Sequence, residues 1–173
     1  MKILEVRRHS IRFQPGDHLN QNGVELARLV GQSMGPFDMV VTSALPRAFE
    51  TAIAMGFAVD EQNELLNTYG REVEKEAPWP LSFGDYVDVV KANGAATKYA
   101  RKLMKYYTGI MNHIAEGRSA LVISHGGVVE LGVVGCLPNF DFSSWGGPVE
   151  YCEGAKLIWE EKFIRAEEVR VAQ

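Results

Sequence analysis

Apolar and polar positions follow two rhythms along this chain, and the changes between them map its elements. Ile3-Leu4-Glu5-Val6 is a short strand-like run that leads into Arg7-Arg8-His9-Ser10. A polar loop with Gly and Pro covers residues 12–22. Residues 24–34 are amphipathic, with Leu26, Val30 and Met34 four apart as on one helical face, and Gly31 and Gly35 loosen the end. Residues 37–41 predict a buried strand closed by Thr42-Ser43. Ala44-Leu45-Pro46-Arg47-Ala48 then opens a second helix running to about Met55. Ser43 is its expected N-cap, and a proline is tolerated in the first turn because N–H groups there lack helical partners.

Residues 60–95 keep neither rhythm. A charged stretch from 71 to 76, then Pro78-Trp79-Pro80 and an apolar patch around Phe83, Tyr86 and Val89, predict an insertion or lid. Residues 96–115 form the most regular helix. Tyr99, Leu103, Tyr106, Tyr107, Ile110 and Ile114 recur three and four apart, and Gly117 stops it. Residues 119–124 read as a strand buried on both faces. It delivers His125-Gly126-Gly127 to a helix over 128–134, and residues 155–159 make a further strand. Strand and helix thus alternate, which predicts an α/β fold: a three-layer α/β/α sandwich on a mostly parallel central sheet, with residues 1–173 as one domain.

Composition narrows the function. A chain of 173 residues, 46% hydrophobic and 23% charged, buries roughly 70% of its unfolded surface as an ordinary globular domain. A net charge of −4 argues against nucleic acid as a partner, which needs a broad basic face. Cys136 and Cys152 have neither CxxC nor metal-ligand spacing and are expected as buried apolar residues. The first ten residues hold too short an apolar core for a signal peptide, and no apolar run nears the ~20 residues that span a bilayer. The expectation is a cytoplasmic protein with no membrane partner.

Sites in such folds lie beyond the carboxyl ends of the strands. Three predicted strands end at Arg8-His9, at Thr42-Ser43 before Arg47, and at Ser124-His125. Two histidines and two arginines converging there make an anion site. The guanidinium forks of Arg8 and Arg47 match phosphate oxygens, and Gly126-Gly127 lets backbone N–H groups approach an anion at a helix start. An imidazole with one nitrogen fixed by a hydrogen bond presents the other as a nucleophile, while the second, protonated, holds phosphoryl oxygens. Each piece alone has a bland reading: a polar strand end, a tight turn, a surface arginine. Their joint occurrence, each after a strand, is what points to phosphoryl chemistry.

Here the chain resembles a known family. Arg8-His9-Ser10 is similar to the Arg-His-Gly signature of the histidine phosphatase superfamily, which includes the cofactor-dependent phosphoglycerate mutases. Leu19-Asn20-Gln21-Asn22-Gly23 resembles the entry to its first helix. Residues 42–48 with Thr51-Ala52 resemble its "SxLxRAxQTA" motif, and residues 123–128 its second histidine motif. The resemblance spans most of residues 1–135 in the family order. It implies a phosphoglycerate mutase-like fold, His9 as phosphorylated nucleophile, Arg8, Arg47 and His125 as phosphoryl ligands, and no metal or organic cofactor.

Two departures matter. Ser10 stands where the family has glycine, and its hydroxyl is a candidate phosphate donor alongside Gly126. The family's "LxExxxG" acid motif has no match in residues 64–70, which leaves Glu64, Glu72 and Glu74 as candidate general acids. A weakly basic leaving group, such as an imidazole or an aryl oxide, would need less protonation. The short chain resembles the compact branch of the family, including bacterial phosphohistidine phosphatases, and has little length for a mutase's cover. The leading expectation is therefore a metal-independent phosphatase acting on a phosphomonoester or phosphohistidine, in a small molecule or phosphoprotein. The alternative is a module of the same fold that binds phosphate or phosphoproteins without turnover. Arg7, Arg12, Asp17 and His18 read as solvated loop residues and His113 as a helix-end cation. Glu130, one turn into the helix after His125, would orient a histidine or donate a proton if it faced the pocket.

Overall fold

The computed structural model describes residues 1–172. The strands and helices are β1 (Lys2–Arg8), α1 (Gln21–Gly31), β2 (Met39–Thr42), α2 (Pro46–Met55), β3 (Glu61–Gln62), α3 (Gly70–Glu76), α4 (Phe83–Lys91), α5 (Ala95–His113), β4 (Ser119–Ser124), α6 (Val128–Cys136), β5 (Gly154–Trp159) and β6 (Phe163–Val169), with one 3-10 turn at Glu64–Leu66. They form a three-layer α/β/α sandwich around one sheet of order β3-β2-β4-β1-β5-β6. The pairs β1–β4, β2–β4 and β2–β3 are parallel; β1–β5 and β5–β6 are antiparallel.

Alternation along the central strands builds two cores. In β4, Ala120 and Val122 join the larger cluster with Leu4 and Val6 of β1, under α3 to α6. Leu121 and Ile123 face the smaller cluster with Ala27, Ala48 and Ala52, under α1 and α2. α6 is apolar around almost its whole circumference because residues 128–134 are all buried; Glu130 is the one charged residue in it. In α5, Tyr99, Leu103, Tyr107 and Ile110 are buried as their spacing predicts.

Several local expectations change. α1 begins at Gln21, with Asn20 capping it through Gly23 N–H, and ends at Gly31, so Met34 lies outside it. Its fully inward positions are the small residues Gly23, Ala27 and Gly31, four apart. A Cβ on Gly31 would lie 2.2 Å from the Met55 carbonyl oxygen, so glycine sets how closely α1 and α2 pack. α2 starts at Pro46 with no side-chain cap, and Ser43 is released for another role. Residues 61–91 supply β3, α3 and α4, and Leu66, Val73, Phe83, Tyr86 and Val90 are buried in the larger core. β6 carries no clean alternation in sequence and pairs with β5 through a register irregularity. Arg7 is buried against Glu5, with its Nε donating to Glu5 Oε1 at 2.7 Å and its Nη1 to the Cys152 carbonyl at 2.9 Å, so it is not a solvated loop residue.

Among the described residues no helix is long and apolar enough to cross a membrane. Two glycine substitutions test the packing with opposite signs. A Cβ on Gly23 would fall 1.9 Å from the Ile11 carbonyl oxygen, so Gly23→Ala should lower unfolding free energy by about 1–3 kcal/mol in urea titration. Gly109, exposed in α5 with nothing within 4 Å of its Cβ direction, should gain about 0.5–1 kcal/mol as alanine.

Candidate active site

Parallel pairing of β1 with β4 sets Arg8 opposite Ser124, so both strands deliver their histidines to the same edge of the sheet. His9 N–H donates to the Ser124 carbonyl at 2.9 Å, and Ser43 N–H reaches the Ile123 carbonyl at 3.0 Å, which brings in the end of β2. The imidazoles of His9 and His125 lie 5.1 Å apart between ring centres. Arg47 comes from the first turn of α2, and its Nε donates to His9 Nε2 at 3.3 Å. Four of the residues singled out in the sequence, Arg8, His9, Arg47 and His125, thus converge.

His9 is buried and held by one end. Its Nδ1 donates to the Ser10 carbonyl at 2.7 Å, an assignment that puts the proton there and leaves Nε2 with its lone pair facing Arg47. Burial is the main cause that pushes His9 down to about 3; Arg8, Arg47 and Arg12 add to it, against the bond to Ser10. Burial likewise drives His125 to about 2, helped by His9, Arg47 and Arg8. Both imidazoles are therefore neutral in the free site, and the protonated second histidine expected from sequence is not its resting form. His125 Nε2 pairs with Ser43 Oγ at 2.7 Å, the role that replaces helix capping for this serine, and its buried Nδ1 has no partner.

Arg8 is locked from three sides. Its guanidinium sits 4.3 Å from the ring centre of Tyr151 and 5.2 Å from that of Trp79, and Nη1 donates to the Val149 carbonyl at 3.1 Å. Its buried Nε has no partner. Arg47 Nη1 is paired with Asp17 at 2.9 Å, so the solvent-exposed 12–19 loop touches the rim of the site at this one residue. That loop is tied back by Leu19 N–H and His18 Nδ1, both on the Glu50 carboxylate.

Ser10 requires a correction. It is fully buried, its Oγ donates to the Gly23 carbonyl at 2.7 Å, and its N–H donates to Thr51 Oγ1 at 2.9 Å. The hydroxyl is committed to joining β1 to α1 and is not presented to a phosphate. Gly126, by contrast, lines the cavity, with the Trp79 ring so near that a Cβ would meet Cη2 at 2.4 Å. The cavity, about 470 Å³, is walled by Leu45, Arg47, Asn67, Tyr69, Glu74, Trp79 and His125 among others. Of the three candidate acids only Glu74 lines it. Glu64 is exposed on the 3-10 turn, and Glu72 is exposed and paired with Lys75 at 3.1 Å. Asn67, Tyr69, Trp79 and Tyr151 stand in segments without periodicity, where Trp79 between two prolines is the one sequence signal, and Asp17, expected as a solvated loop residue, pairs with Arg47 while staying exposed. No group of three or more His, Cys, Asp or Glu side chains suited to a metal ion occurs among the described residues.

No family model and no curated protein sequence matches the chain. Solved structures do. A phosphoserine phosphatase from Entamoeba histolytica, in complex with 3-phosphoglyceric acid, superposes with a TM-score of 0.68 at 17% identity, covering 100% of this chain and 98% of its own. A phosphoglycerate mutase from Bacillus anthracis gives 0.68 at 19% identity, covering 96% and 92%. A mycobacterial glucosyl-3-phosphoglycerate phosphatase complexed with VO3 gives 0.71 at 16% identity, covering 99% and 100%. The chain therefore has the phosphoglycerate mutase-like fold.

Proposed function

We propose that the protein is a histidine phosphatase, a metal-independent hydrolase of phosphomonoesters or phosphohistidine that works through a phosphohistidine on His9. The observation that carries this reading is the state of His9: neutral, fixed through Nδ1, with its Nε2 lone pair turned to Arg47 Nε at 3.3 Å and the His125 ring beside it. A neutral imidazole held in one tautomer is what attack on phosphorus needs. That solved proteins of this fold include phosphatases bound to 3-phosphoglyceric acid and to VO3 supports the assignment.

In the first step the Nε2 lone pair forms a bond to phosphorus as the bond to the leaving oxygen or nitrogen breaks. Arg47 Nε gives up His9 and moves onto a phosphoryl oxygen, joined by Arg8, His125 and the Gly126 backbone. The two guanidinium groups supply the positive charge that the transition state requires, and His125 and the Gly126 amide add neutral hydrogen bonds. Glu74 is the carboxyl group assigned to protonate the leaving atom. In the second step water attacks phosphorus, Glu74 takes its proton, the P–N bond breaks, and phosphate leaves with His9 neutral again. A phosphohistidine or aryl phosphate needs Glu74 least, because its leaving group is weakly basic. The same reading assigns the protein to the cytoplasm, with phosphorylated small molecules or phosphoproteins as partners.

With p-nitrophenyl phosphate and EDTA present, the wild type should release nitrophenolate and His9→Ala should fall to background. Absence of wild-type turnover would overturn the assignment in favour of a phosphate-binding module. Glu74→Gln should cost about 10²- to 10⁴-fold on an alkyl phosphate but far less on the nitrophenyl ester, read as kcat/KM on both. Vanadate at about 100 times its Kd should stabilise the fold by about 2.7 kcal/mol, seen as a rise in Tm that Arg47→Ala removes.

A further inference from the structure

Glu130 is the one fully buried carboxylate in α6, and the mechanism above does not use it. Its two oxygens reach different segments of the site. Oε2 accepts the Gly127 N–H at 2.7 Å, at the turn that follows His125, where Gly127 holds a φ of +85° under the Tyr69 ring. Oε1 accepts the Val149 N–H at 3.3 Å. Val149 is the residue whose carbonyl receives Arg8 Nη1, and Tyr151, two residues on, lies over the Arg8 guanidinium and 5.9 Å from the His9 ring. One carboxylate therefore joins the His125 turn to the loop that holds Arg8.

We infer that Glu130 is a positioning residue: by accepting both amides in its ionised form it sets the His125 turn and, through Val149, the Arg8 guanidinium in register for phosphoryl binding. A carboxylate accepts both N–H groups as charge-assisted bonds, roughly twice as strong as neutral ones. A protonated carboxyl has only one good acceptor left, so one of the two tethers weakens. The groups that face Glu130 are few. Arg8 faces it from β1, Tyr86 from α4 and Tyr69 from the turn before α3. Burial pushes both phenols up, so neither competes as an anion. Lys156, the sole ionisable residue of β5, lines a separate cavity with Glu5 and Arg7, and α5 meets α6 further along, where Tyr107 lies against Gly132. Burial raises Glu130 to about 7, opposed by bonds to its own backbone amide and those of Gly127 and Val149, and by Arg8. The switch between one tether and two thus falls near neutral pH, where His9, held down at about 3, does not titrate.

The tethering claim is independent of the phosphatase reading, and only its kinetic consequence rests on it. The test has two arms. In ¹H–¹⁵N and carboxyl ¹³C spectra of the wild-type protein between pH 5 and 9, the Gly127 and Val149 amides and the Glu130 carboxyl should move together with one midpoint near 7. In Glu130→Gln the amide titration should vanish. In kcat/KM for p-nitrophenyl phosphate, corrected for substrate ionisation, activity should rise about tenfold through the same midpoint. Glu130→Gln should lose that limb and stay near the acid-side level. Amides that do not titrate, or that titrate unchanged in Glu130→Gln, would overturn the tethering. A kinetic limb that survives the substitution would overturn its link to phosphoryl binding. Should the variant fail to fold, the wild-type carboxyl and amide midpoints decide alone: coincidence supports the inference, and divergence overturns it.

Discussion

The parallel register between β1 and β4 is the constraint on which the site depends. With Arg8 opposite Ser124, the two strands end side by side, and the next residue of each is a histidine. A slip of one residue would turn Leu4 and Val6 out of the larger core and put Glu5 and Arg7 in their place, so the pairing that places His9 beside His125 is fixed by burial of the strands. The antiparallel β5 closes the other edge of β1. A Cβ on its Gly154 would lie 1.8 Å from the Val6 carbonyl oxygen, so the neighbouring strand approaches as closely as backbone allows. The site is thus carried on the most deeply buried part of the molecule, while its outer wall, from Asn67 to Trp79, comes from shorter and more exposed elements.

Electrostatics divide the site into a dry floor and a paired rim. Burial keeps both imidazoles neutral, which is the state the proposed nucleophilic role of His9 requires beside two guanidinium groups. The guanidinium groups are in turn balanced: Arg47 by Asp17, and Arg8 by the faces of Tyr151 and Trp79 and the Val149 carbonyl. The unpartnered Arg8 Nε and His125 Nδ1 mark where the site leaves hydrogen-bonding capacity unused, which the proposed phosphoryl ligand would take up.

Much of this was legible in the chain. Strands with both faces buried and helices with a clear three-and-four spacing declare themselves through burial alone, which is why β1, β2, β4, α2, α5 and α6 were recognisable, and with them Arg8, His9, Arg47 and His125. Residues 61–91 were not, because α3 buries only Val73 and α4 presents just three inward residues, Phe83, Tyr86 and Val90, among polar and proline-rich neighbours. The outer wall of the cavity was lost with them. Ser10 differs for another reason: a hydroxyl beside the expected nucleophile suggests a phosphate donor, and only the fold reveals that the Gly23 carbonyl claims it. Glu130 could be placed near the site by its position one turn after His125, but its two amide partners lie in segments separated in sequence and meet only in three dimensions.

The central claim is covalent. Rapid mixing of the protein with p-nitrophenyl phosphate, quenching in base and digestion for mass spectrometry reads it directly. The account predicts a phosphoryl group on the peptide containing His9, stable in base and labile in acid as a phosphoramidate must be. Turnover accompanied by a phosphoryl group on any other residue, or by none under conditions that trap the burst, would contradict it.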